Sequence, residues 1–352
     1  MSDDRAELAF RTALATRAGA YQPETREPPT PHRRRRWPAV LAAAVLVVGI
    51  VLVGAFRPHA HQEVPSPTGL PDGWRWESHA NVMVAVPDTW GYAAAPGSDW
   101  CAATGSKKTV PEQGYVDTRP PGGAVLDILC GGTPPSSLTA PHLTFSDSLG
   151  GEIPLPAGWV RVRRTVSDVH LTVTRDAGHR ALADQILATA HTVGTDLNGC
   201  AATSPIQDQL VGRPTPPFDV ASLHHVASIA VCQYQLDVTG PGLVASRLLT
   251  GDDADAELAA LQDAATKSGP DRGHGCSAAD RGETGVTLLL STGGQTHEMY
   301  AFYSGCTRNG FDDGTDVREL TTANCRPLFD SRIIDTEGIR PAFERCTPAR
   351  GH

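Results

Sequence analysis

The chain has 352 residues, 40% hydrophobic and 20% charged, with 35 glycines and 28 prolines. That balance excludes a disordered chain and suits a folded one rich in turns. The formal charge of −9 is uneven: residues 1–37 carry eight arginines and five acids, while residues 57–352 carry 22 basic and 34 acidic side chains. So acidic a body repels a phosphate backbone, and no nucleic-acid partner is expected.

Residues 4–19 permit a short amphipathic helix, with Ala6, Phe10, Ala13 and Leu14 opposite Asp4, Glu7 and Arg11. A helix this short is marginal in water, so a frayed tail is an equal reading. Residues 21–32 are Pro-rich and read as an extended spacer.

Trp37-Pro38 leads into 39–56, a run of 18 residues without charge. As a helix it reaches about 27 Å, enough for a thin bilayer. Arg33, Arg34, Arg35 and Arg36 stand just before it, and only Arg57 follows closely. The positive-inside rule then predicts a cytoplasmic N-terminus and an extracytoplasmic body. The long charged segment ahead of the run favours an uncleaved anchor over a signal peptide. The expected organisation is a cytoplasmic arm at 1–36, a membrane helix with its flanks at 37–57 and a Pro-rich linker at 58–71. Three extracytoplasmic sections follow, at 72–150, 151–217 and 218–352.

In the first section, 81–86 and 124–129 read as strands. Pro-x-x-Trp recurs at Pro71–Trp74, Pro87–Trp90 and Pro156–Trp159. A proline-led turn of this kind delivers a tryptophan to the core. In the second section, 159–163 and 169–174 alternate as strands, and 181–191 has helical spacing. In the third, 228–236 reads as a strand, 254–265 as a helix, and 286–303 as a hairpin around Gly293-Gly294. Residues 309–316 read as a loop, and the last forty residues are expected to wrap back over the fold. The fold class expected is α+β: one transmembrane helix, then a disulfide-linked region of antiparallel strands with a few helices. Sections two and three share the order strand, helix, cysteine, without enough identity to be a repeat.

The cysteines support the same topology from separate chemistry. Cys101, Cys130, Cys200, Cys232, Cys276, Cys306, Cys325 and Cys346 all follow the apolar run. An even number on the exported side predicts disulfides in an oxidising compartment. Sequential pairing closes short loops, each worth about 3 kcal/mol in the chain-entropy model, although spacing alone leaves the pairing open.

Motifs that carry chemistry are lacking. There is no G-x-S-x-G, no phosphate-binding loop and no C-x-x-C, and His297-Glu298 lacks a second histidine at 301. His224-His225 is the one adjacent histidine pair. Asp312-Asp313-Gly314-Thr315-Asp316 resembles a calcium loop but fails its spacing and reads as a solvated turn. Glu298, Asp127 and Asp237 are carboxylates that nothing in the sequence places in one cleft. No catalytic, cofactor-binding or metal-ligating residue is singled out, and no cofactor is expected.

Arg33–Arg36 before the apolar run, Trp90-Gly91-Tyr92 ahead of Cys101, and Val231-Cys232-Gln233-Tyr234 followed by Leu243-Val244-Ala245-Ser246 carry a resemblance. The chain resembles uncharacterised actinobacterial single-pass membrane proteins with a cysteine-containing extracytoplasmic region. That resemblance implies a body between membrane and cell wall; the group has no assigned activity, so it supplies no catalytic role to carry over. The expected function is a membrane-anchored binding or structural module at the cell surface, with an extracytoplasmic ligand or protein as partner. One alternative is an anti-sigma-like signalling regulator whose residues 1–36 contact a cytoplasmic protein. The other is an extracytoplasmic enzyme whose site is assembled from scattered residues.

Overall fold

The computed structural model describes residues 70–96, 112–118, 139–146, 151–155, 158–208, 212–271, 277, 280–329, 332–333 and 345–346. The chain divides into Met1–Ser66 and Pro67–His352, and every described residue belongs to the second unit. The arm, the apolar run with Arg33–Arg36, the strand expected at 124–129, and Cys101, Cys130 and Cys276 lie outside the described residues. Among the described residues no helix is long and apolar enough to cross a membrane.

The fold is mixed α+β with mostly antiparallel sheets. Strands β1 (Trp74–His79) and β2 (Val82–Pro87) form a hairpin. Two Pro-x-x-Trp turns lie side by side at its open end: Trp90 N donates to Pro87 O at 3.0 Å, and Asp88 N to Gly73 O at 2.8 Å. Trp90 is buried in the first core and Trp74 packs against that core. Trp159, expected to be a core anchor, is only half-buried.

A six-stranded sheet follows. It comprises β3 (Gly91–Ala93), β4 (Tyr115–Asp117), β5 (His142–Ser146), β6 (Gly151–Pro154), β7 (Val160–Val166) and β8 (Val169–Arg175). Its order is β3-β4-β5-β8-β7-β6, parallel only from β3 to β5. The division expected at residue 150 therefore runs through one sheet, because β5 pairs with β8 across it. Helix α1 (Arg180–Thr189) turns Ala183, Ile186 and Leu187 into the core shared with β2 and β8. The short strand β9 (His191–Thr192) then pairs with β2.

The second half is one antiparallel sheet in the order β11-β10-β12-β13-β14-β15. Its strands are β10 (Ser228–Gln235), β11 (Leu243–Thr250), β12 (Thr284–Thr292), β13 (Gln295–Phe302), β14 (Gly310–Asp312) and β15 (Val317–Arg318). Alternation along β10 serves two cores. Ile229 and Val231 face the cluster that includes helix α2 (Asp252–Asp263), whereas Ala230, Cys232 and Tyr234 face a cluster around Ile206 and Phe302. Both halves thus contain a hairpin followed by a helix.

Cys200 and Cys232 are at disulfide distance, with Cα atoms 5.6 Å apart. So are Cys325, at the end of helix α3 (Thr322–Cys325), and Cys346, at 4.9 Å. Both pairs follow the sequential pattern expected. The halves are joined where Ala80 N donates to Leu243 O at 2.6 Å. From the C-terminal region Arg332 reaches back to donate to Ser78 O, as the expected wrap-back requires.

Candidate binding cleft

Three connections meet at the junction: the β1–β2 turn, the β7–β8 turn and the link from β10 to β11. Each holds one non-glycine residue in the left-handed region: Ala80 (φ 50), Ser167 (φ 52) and Asp237 (φ 56). Such residues cost free energy, and their concentration marks places where the fold overrules local preference. The first two turns are tied together, since Asn81 Nδ2 donates to Ser167 Oγ at 3.2 Å. Between the three connections lies an open cleft of about 200 Å³. His79, Asn81, Phe145, Asp168, His170 and Gln235 supply its functional groups, and Pro241 to Val244 form the opposing wall.

The most unusual chemistry stands behind one wall. Arg332 is only 5% exposed, yet no carboxylate lies within ion-pair distance of it among the described residues. Its guanidinium lies 4.0 Å from the centre of the Phe145 ring. It donates to Ser78 O, and its other terminal nitrogen sits 3.2 Å from His79 Nδ1. Burial lowers the Arg332 pKa, and Glu77, Tyr92 and Asp117 oppose that from greater distance. Glu77 is already engaged, accepting from Arg75 at 2.9 Å and from the Tyr92 hydroxyl at 2.8 Å. That arrangement, after burial itself, holds the Tyr92 phenol up at about 12.

His79 links this cation to the cleft. Burial, then the Arg332 charge, depress its pKa to about 3, so the ring is neutral at any ordinary pH. Its Nδ1 lies 3.2 Å from both Arg332 and Val244 O, and the two contacts make opposite demands. A guanidinium only donates, so that contact needs a lone pair on Nδ1, whereas the carbonyl needs a proton there. A hydrogen bond from a charged donor is worth about 1.5–3 kcal/mol, against about 0.5–1.5 for a neutral pair. That difference favours the tautomer with the lone pair toward Arg332 and the proton on Nε2. The ring lies 4.8 Å from Phe145, tilted by 38°, and is partly exposed where it lines the cleft.

The residues singled out by sequence fare differently. The loop at 309–316 contains β14, and two of its three aspartates are buried, Asp312 at 4% and Asp313 at 0% exposure, while Asp316 is partly exposed. Asp312 takes a two-pronged contact from Arg213 at 2.8 and 3.0 Å. Asp313 accepts from the backbone N–H groups of Val220, Thr315 and Asp316. Their oxygens are occupied in holding the loop, because a buried carboxylate must be paired. His224-His225 lies outside any strand, and His225 contacts Asp255 at 2.9 Å on the surface. Glu298 stays on β13, its pKa raised by burial, while Asp237 serves the β10–β11 turn; Asp127 lies outside the described residues.

Asn81, His170 and Gln235 fall in segments read as strands, but nothing in the sequence marked them, His79 or Phe145 as parts of one site. His170 read as one of several solvated strand positions, and nothing near Arg332 distinguished it from the other arginines. No family model, curated protein or solved structure matches the chain.

Proposed function

We propose that the chain is a membrane-anchored extracytoplasmic binding protein whose ligand site is the cleft at the junction of its two halves. The observation that carries this reading is the cleft itself. Three strained turns from separate hairpins converge on a concavity backed by a buried guanidinium that no carboxylate contacts among the described residues. Concave sites with a few convergent polar groups and perturbed titration are where ligands bind. The location rests on sequence: the apolar run at 39–56, Arg33–Arg36 ahead of it, and every cysteine after it. Two cysteine pairs at disulfide distance support an oxidising compartment.

Topology is tested on the full chain in its native membrane. Carbonate washing should leave the protein in the pellet, and protease added to intact cells stripped of wall should digest the body. Release by carbonate, or a body digested only after the cells are lysed, would overturn the localisation.

A further inference from the structure

We propose that the cleft selects a small carboxylate, held by the Nε2–H of His79 with the Arg332 guanidinium behind it and the Phe145 ring alongside. This rests on reading the cleft as a ligand site and adds the ligand's chemistry.

Arg332 is a buried cation with no contacting carboxylate among the described residues. The nearest acids are committed elsewhere: Glu77 to Arg75 and Tyr92, and Asp117 Oδ1 to the Ala95 N–H at 2.9 Å. The wall formed by His79 and Phe145 therefore carries positive potential into the cleft. An anion there recovers part of what burial of the guanidinium costs.

The histidine converts this charge into direction. Arg332 occupies Nδ1, which leaves Nε2 as the polar atom of a ring lining the cleft. As a neutral N–H polarised by the cation behind it, it donates to an oxygen and offers nothing to an ammonium. A cationic ligand meets only repulsion at this end. Phe145, 4.8 Å from the histidine ring, adds an apolar surface for a planar group. The cavity, about 200 Å³, suits a benzoate-sized molecule and not a large one. Asp168, on the β7–β8 turn, and His170, at the start of β8, also line the cleft and offer polar groups to a substituent of the ligand.

Benzoate, benzyl alcohol and benzylammonium share one ring and differ in the group offered to His79. Titrated into the full chain in detergent and followed by nuclear magnetic resonance, benzoate should bind at least about tenfold more tightly than the alcohol, and benzylammonium should not saturate. His79→Phe keeps the ring surface and removes the donor, and should weaken benzoate about tenfold while leaving benzyl alcohol unchanged. In the unliganded protein the His79 ring should carry its proton on Nε2. Equal affinity for benzoate and benzyl alcohol, full benzoate affinity in His79→Phe, or a proton on Nδ1 would overturn the carboxylate assignment. If the alcohol or the ammonium probe shifts cleft resonances and benzoate does not, the assignment falls while the binding site stands. If none of the three perturbs the cleft, both fall.

Discussion

Glu257 stands on the buried side of α2 at 1% exposure, and neither of its carboxylate oxygens has a hydrogen-bond partner among the described residues. Burial raises its pKa well above the usual value, and Arg247 opposes this only in part. The folded protein therefore keeps this proton to higher pH than the unfolded chain does. With the folded pKa above the unfolded one, this group's stabilising contribution is full below the unfolded pKa and is lost as pH rises through the folded pKa. Glu257→Leu should raise stability at pH 7 by about 1–3 kcal/mol, the usual cost of an unpaired buried polar group. The advantage should shrink between pH 7 and pH 5. Urea unfolding at both values checks this, and a variant no more stable at pH 7 would refute it. Asp313 is the opposite case. Its carboxylate accepts three backbone N–H groups, so Asp313→Ala should cost roughly 3 kcal/mol in the same assay.

Between elements, the packing of Trp90 against the start of β4 depends on Gly114. Its φ is +118°, and a Cβ there would lie 2.6 Å from the Trp90 ring. Gly114→Ala should destabilise by about 1–3 kcal/mol through overpacking, with added backbone strain. Loss of the near-ultraviolet tryptophan signal should accompany it, and unchanged stability would mean the ring has room to move. The helices and hairpins were legible because their signals are local. Leu182, Ile186 and Ala190 lie one turn apart in the sequence read as helical, and α1 forms there. Gly293-Gly294 separates two apolar runs, and β12 and β13 pair across that turn. The loop expected at 309–316 contains β14 because Gly310–Asp312 pair with β13 on one side and β15 on the other, and no short segment carries that information.

For the whole molecule, Cys325–Cys346 closes a loop within the last section, Cys200–Cys232 ties the second section to the third, and the cleft depends on contacts across the chain. Replacing both Cys200 and Cys232 by serine should cost about 2–4 kcal/mol, measured by thermal unfolding. Full stability in that double variant would show the bridge to be incidental. Arg332 lies 254 residues from Ser78, whose carbonyl it contacts, so the cleft wall is completed only when the C-terminal region has docked. Sequence by itself determined the mixed α+β class and the main helices and hairpins. Hydrophobic period, turn residues and spacing express these locally. Only the tertiary structure decided that strands on both sides of residue 150 share a sheet, that Asp312 and Asp313 are buried, and that His79, Phe145 and Arg332 meet. Those outcomes depend on which distant segments exclude water from one another, and desolvation changes a side chain's chemistry without leaving a pattern in the residues around it.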